Sequence, residues 1–356
     1  NSTKGKFPSL GWQEKNSWQG FFPFQNNPII KNPESGVIIN TNNKITDQSF
    51  PNHISFDWGD SQRIIRVKDL IRKRRFHTVE SFVGIQTDAI SISARILLPL
   101  LAKNLWFHEN SNSESDFNQL KIRALKLLSE WNGDMNKNNS EPLLYTAWVR
   151  AFQNLITSDN VGVKPNETST IRPLFLERVL RDVNGAEEWC DIQQTEIIET
   201  CNDISSRSLD MAIRHLKTQF GPDISGWRWG DAHTAFHRSN TLGKIPFLSF
   251  FANIIHETSG GDNTILMTRM SASFKNPYMA TYGSAVRAIY DFSEANKSIF
   301  ILSTGQSGHI LSRHYDDQSL IWQQQQYLPM IDNKNLISGG SMGYTTISPI
   351  EKSETN

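Results

Sequence analysis

Apolar positions along this 356-residue chain recur with two periods, and the changes of period divide it into three stretches. Between residues 63 and 260 they return at every third or fourth place. Ile64, Val67, Leu70 and Ile71 form the first such set, the stripe of an amphipathic helix. The same spacing predicts helices over 89–105, 117–131, 141–156, 171–183 and 204–220. Thr78, ahead of a short polar-apolar run, marks another helix start, because a threonine side chain can cap free N–H groups. From residue 261 to 350 the runs are shorter, alternating and rich in β-branched residues. There 264–274, 284–292 and 298–303 read as strands, 316–327 as a short helix and 344–347 as a last strand. Residues 1–62 hold shorter strand-like pieces, 21–24 and 36–39, among Gly, Pro, Asn and aromatics. The pattern predicts one α+β unit: a large helical region between two strand-rich ends that close one sheet.

Charge narrows the partners. The 36 basic and 36 acidic residues cancel, so no global field draws the chain to nucleic acid or an anionic membrane. Arg72-Lys73-Arg74-Arg75 falls where the first helix should end, a place that favours cations on a solvated last turn. The longest apolar stretch, 89–107, contains Arg95 and Lys103 and reads as a buried helix, not a membrane span. Residues 1–10 are polar with two lysines, unlike a secretory signal. Cys190 and Cys201 exclude a disulfide-dense scaffold and a zinc ribbon, but leave both one bridge and two free thiols open. The sequon Asn166-Glu167-Thr168 says nothing of export in so asparagine-rich a chain.

The candidate chemistry begins at Asn40-Thr41-Asn42-Asn43, where the apolar run Val37 to Ile39 delivers three asparagines within four positions. Asparagine is a poor strand former, so this is either a plain turn or a place where a carboxamide is wanted. A rigidly held carboxamide N–H can stabilise a developing oxyanion. Arg63, some twenty residues on, would be a fixed donor nearby. Gly305-Gln306-Ser307-Gly308-His309 lacks the fifth-position glycine of a nucleophile elbow. His233 and His237 would share one face of a helix and, with His256 and Glu257, could hold a metal. Thr234 stands where a zincin requires glutamate, so hydrogen-bonded structural histidines are the simpler reading. Trp227-Arg228-Trp229 reads as core packing with the guanidinium between indoles. Adjacent Asp316 and Asp317 would point apart on a strand and suit a cap or an ion pair.

Seven blocks in order resemble the penicillin acylase family of N-terminal-nucleophile amidases. They are Asn32-Pro33-Glu34-Ser35-Gly36 through Asn43, Trp58-Gly59 with Arg63, Gln86-Thr87-Asp88, and Trp131-Asn132-Gly133. Trp227 to His233 and Tyr282-Gly283-Ser284-Ala285-Val286-Arg287 follow, and Gly305 to Gly308 with Ser312 to Asp317 and Trp322 closes the series. The resemblance implies part of a four-layer αββα sandwich and hydrolysis of linear N-acyl amides through an acyl-enzyme. It gives Asn42 the side-chain donor of an oxyanion hole and Arg63 a place in the polar network about the nucleophile's amino group. The family's serine nucleophile has no counterpart here, since Asn1 cannot serve. The chain is therefore similar to the C-terminal part of a β subunit, with an α subunit and the N-terminal part of the β subunit as partners. No cofactor is expected. The calcium of some relatives uses an aspartate shortly before the Trp58 position, where Asn52 to Phe56 stand here and Asp57 is too close. The resemblance also points to the periplasm or secretion. Against it stand a catalytically silent structural fragment and a metal hydrolase built on His233 and His237.

Overall fold

A computed structural model describes residues 5–46, 50–106, 115–160, 170–271, 276–343 and 345–349. The sequon at Asn166, the residue Phe274 and the position Tyr344 lie outside the described residues. The chain divides into two compact units, one of Asn1–His77 with Gly84–Ser284, the other of Thr78–Val83 with Ala285–Asn356.

Helices come first in the chain: α1 (Gln62–Arg72), α2 (Val79–Gln86), α3 (Ile92–Leu101), α4 (Asp116–Glu130), α5 (Glu141–Asn160), α6 (Pro173–Leu180) and α7 (Cys201–Phe220). Each starts for a local reason where a cap is present. Ser91 Oγ accepts from the N–H of Ala94, and Ser115 accepts from that of Asn118. Thr200 and Asp203 cap each other's free N–H groups at the head of α7. This box moves the helix start from the first apolar residue, Ile204, back to Cys201. The larger unit buries its core where α5 packs on α7. Trp148, Phe152 and Ile156 are sealed there with Leu209, Ile213 and Leu216. Each such side chain contributes about 1.5–3 kcal/mol by leaving water. The indole N–H of Trp148 stays satisfied, donating to Ser208 Oγ at 3.1 Å.

Four short strands complete this unit. After the single-turn α8 (Trp229–Ala232) come β1 (Thr234–His237), α9 (Leu248–Ala252), β2 (Ile254–Glu257), β3 (Thr268–Met270) and β4 (Ala280–Gly283), in the sheet order β2-β1-β4-β3. The β1–β4 pair is parallel, and a register shift falls between Arg269 and Met270. In the smaller unit β5 (Val286–Ile289), β6 (Ile299–Leu302) and β7 (Leu328–Pro329) form an antiparallel sheet, with α10 (Ser319–Gln323) against β6 and α11 (Lys334–Gly340) last. The buried Arg287 lies over the rings of Trp322 and Tyr327 and donates to the carbonyl oxygen of Trp322.

The fold is α+β, with two corrections to the element pattern. No strand forms among the described residues of 1–62, where the regular pieces before α1 begins at Gln62 are 3-10 turns at Glu14–Asn16 and Phe24–Asn26. Val37 to Ile39 have no regular structure and no ladder beside them, and Ile38 is 62% exposed. An apolar run becomes a strand only where another strand hydrogen-bonds to it. Residues 345–349 likewise lack strand structure. The cysteines, which the sequence left open, form a Cys190–Cys201 disulfide.

Candidate active site

The asparagine cluster is a turn held by its own side chains. Asn40 Oδ1 accepts the N–H of Asn42 at 2.8 Å, and Asn43 Oδ1 accepts the N–H of Thr41 at 3.1 Å. Asn42 itself sits at φ 65°, a left-handed conformation that asparagine tolerates better than other side chains. The expected rigid strand end is thus replaced by a rigid Asx-type turn. Gly59 locks it from outside, its N–H donating to the Asn42 carbonyl oxygen at 2.8 Å. A Cβ on Gly59 would lie 2.6 Å from that oxygen, which is the physical reason for glycine after Trp58.

Arg63, one residue into α1, reaches back across the turn. One terminal nitrogen donates to the Thr41 carbonyl oxygen at 2.6 Å and to Asn42 Oδ1 at 2.9 Å. A guanidinium only donates, so the carboxamide must present its oxygen to Arg63 and turn its NH2 the other way. The helix is anchored one turn later. Arg66 makes a two-pronged ion pair with Asp88, at 3.0 and 2.6 Å, and both side chains are largely buried. Asp88 also accepts from Leu266 N–H through its backbone and from Ile90 N–H through Oδ1. Gln86-Thr87-Asp88 is therefore the block that fixes α1, and with it Arg63.

Asn42 and Arg63 line a cavity of about 230 Å³ together with Asp60, Arg172, Asp262, Arg269 and Tyr282. Burial pushes the Asp60 carboxyl up, and Arg172, Arg269 and Arg63 pull it back down without cancelling that effect. Burial also lowers Arg63, as does the neighbouring Arg269, while Tyr282 and Asp60 oppose the shift. Asp262 is raised by burial although its Oδ1 accepts the Met270 N–H at 2.7 Å. The sequence reading picks out none of Asp60, Arg172, Asp262, Arg269 and Tyr282 as site residues. Tyr282 opens the 282–287 block of the family resemblance, and Arg269 is a charge in a strand-like run. Arg172 comes to the cavity only through tertiary folding.

None of the other candidates is among the residues lining this cavity. His233 and His237 do not share a helix face, because α8 ends at Ala232 and the chain continues extended into β1. Four residues of strand put them roughly 13 Å apart. His233 is fully buried and stacked on Trp229 at 4.2 Å. Its Nδ1 donates to the Tyr278 carbonyl oxygen at 2.6 Å, so in the neutral ring Nε2 accepts from Thr268 Oγ1 at 2.8 Å. Burial brings its pKa down to about 4. His256 stands opposite Ala235 on β2. Among the described residues no three His, Cys, Asp or Glu side chains are grouped to hold a metal ion. Ser307 Oγ accepts from the N–H of His309 inside a turn. Arg228 is not stacked between indoles but bonded to Glu257 at 3.0 Å and Asp231 at 3.3 Å. Asp317 pairs with His314 at 2.7 Å, and the Asp316 carbonyl oxygen accepts from Ser319.

The chain as a whole has relatives among known proteins. Acyl-homoserine lactone acylase QuiP of Pseudomonas syringae pv. tomato is 24% identical over 365 residues, covering 97% of this chain and 43% of that protein. Penicillin acylase 2 proenzyme of Pseudomonas sp. strain SE83 is 22% identical over 92% of this chain and 40% of its own. Penicillin G acylase of Escherichia coli is 31% identical over 85% of this chain and 36% of its own. The chain thus spans about two fifths of the length of these relatives. In fold it is similar to the thermostable penicillin G acylase from Alcaligenes faecalis, with a TM-score of 0.57 and 14% identity over 94% of this chain and 61% of that one. The Penicillin amidase family model matches residues 1–338, nearly the whole sequence, and the chain belongs to that family.

Proposed function

We propose that this chain supplies the oxyanion-stabilising side of an acylase that hydrolyses linear N-acyl amides through an acyl-enzyme. One observation carries the reading: Arg63 holds Asn42 Oδ1, which leaves the carboxamide NH2 as a fixed donor beside a polar cavity. Attack of a serine oxygen on the amide carbonyl puts negative charge on the carbonyl oxygen, which that NH2 would bind. The amine then leaves with a proton, and water releases the acid from the serine ester. The serine would come from the N-terminal part of a β subunit, and an α subunit would complete the acyl pocket. The relatives' names suggest penicillins or acyl-homoserine lactones as substrates. In the complete enzyme Asn42→Ala should lower turnover by about 10²–10³-fold with the fold retained. Unchanged turnover would remove Asn42 from the reaction.

A second reading, a catalytically silent piece that serves assembly, is favoured by the exposed aromatics of the first stretch. Trp12, Trp18 and Phe21 are 81%, 93% and 99% exposed. The same substitution separates the two, because a silent piece is indifferent to Asn42→Ala. Export to the periplasm or beyond is the compartment we propose, supported by the Cys190–Cys201 bridge. Two titratable thiols in the denatured, unreduced protein would withdraw that support.

A further inference from the structure

Three guanidiniums line the candidate cavity, and among the described residues none of them has a carboxylate within ion-pair distance. Arg63 is occupied with the Thr41 carbonyl oxygen and Asn42. The other two are uncommitted. Arg269 lies over the Tyr282 ring at 5.5 Å, a contact that uses its flat face and leaves its N–H edge for a ligand. Arg172 is fixed by its backbone, whose N–H donates to Gln153 Oε1 at 2.9 Å at the head of α6, while its side chain is exposed. The cavity's own carboxylates do not neutralise them. Asp262 is spent on the Met270 N–H that pins the register shift beside Arg269. Asp60 is one carboxylate in the field of three arginines.

We propose that Arg172 and Arg269 form a carboxylate-binding wall that selects N-acyl substrates carrying an anionic group over neutral ones. The inference rests on the acylase reading of this cavity and adds a substrate class to it. A planar guanidinium matches a carboxylate with two parallel hydrogen bonds, stronger than bonds between neutral groups. An anion in the cavity also relieves the repulsion between Arg63 and Arg269. The consequence divides the two substrate types named among the relatives. A penicillin carries a carboxylate on its amine portion and is favoured, whereas a homoserine lactone carries none.

The test is direct binding to the full chain, which needs no nucleophile. Titration calorimetry compares N-phenylacetylglycine with its uncharged methyl ester at low and physiological salt. The acid should bind about tenfold or more tightly, with the margin shrinking as salt rises. In Arg172→Gln/Arg269→Gln the margin should fall to within about twofold, and in Arg172→Lys/Arg269→Lys part of it should return, since point charge survives without the fork. Circular dichroism checks that each variant folds, and both side chains are exposed. Equal binding of acid and ester, or a margin that survives the Gln double variant, overturns the proposal. The failure is separable from that of the acylase reading. If Asn42→Ala abolishes turnover while acid and ester bind alike, only the carboxylate wall is lost. If the margin holds while Asn42→Ala changes nothing, only the oxyanion role is lost.

Discussion

Asn42 is shaped by neighbours on three sides, and each one explains a residue that the sequence displays. Asn40 takes its N–H, Arg63 takes its side-chain oxygen, and Gly59 donates to its carbonyl oxygen. The three asparagines of the run therefore have different tasks. Two fold the turn, and the third occupies a left-handed conformation with its NH2 free to donate. Gly59 tests this arrangement without touching any donor. In Gly59→Ala the new methyl would meet the Asn42 carbonyl oxygen at 2.6 Å, so the turn must move. A displacement near 1 Å at a positioned group costs on the order of 10² in rate. The expected outcome for the complete enzyme is a turnover loss of about that size, with a chemical unfolding midpoint close to that of the parent. A variant with parental turnover would mean that the turn's geometry does not matter to the reaction.

At the scale of elements, the sequence was legible where a helix carries its own stripe and opaque where partners decide. The first helix and the long α5 and α7 follow from apolar spacing, and α7 was misplaced at its head only because the Thr200 and Asp203 box lies before the first apolar residue. Val37 to Ile39 have strand composition but no neighbouring strand, and no local signal reports a missing partner. His233 and His237 looked paired because helix spacing was assumed across the end of α8. The site followed the same division. Asn42 and Arg63 stood out as a local cluster and a helix start, whereas Arg172 and Arg269 arrive from distant elements. His233 also makes the junction of α8 and the sheet sensitive to acid. Its folded pKa of about 4 lies below the unfolded value of 6.5. Below 6.5 the unfolded chain binds a proton that the folded chain refuses, so stability is full above that pH. It is lost progressively down to about pH 4 and flat below, with a loss of about 3 kcal/mol. Urea unfolding between pH 7.5 and 3.5 should show this slope, and His233→Gln, less stable at pH 7, should remove most of it. A variant with an unaltered slope would place the acid sensitivity elsewhere.

The whole molecule has balanced charge and a pI near 7.3, so its stability in neutral buffer draws little from long-range fields. Local constraint matters more, and the disulfide is the strongest covalent one. Cys190 and Cys201 are eleven residues apart and both buried, and the bridge ties the turn before α7 to that helix's first residue. That helix is half of the largest core contact, so loosening its head exposes the seam shared with α5. A closed loop this short restricts the unfolded chain by about 2–4 kcal/mol of stability, to be lost in Cys190→Ser/Cys201→Ser. Oxidised protein, denatured without reductant, should titrate no thiols, and dithiothreitol should lower the parent's urea midpoint while leaving the double variant's unchanged. A midpoint indifferent to reductant in the parent would show that α7 is held by its packing and its Thr200 cap alone, and the bridge would then be no argument for an oxidising compartment.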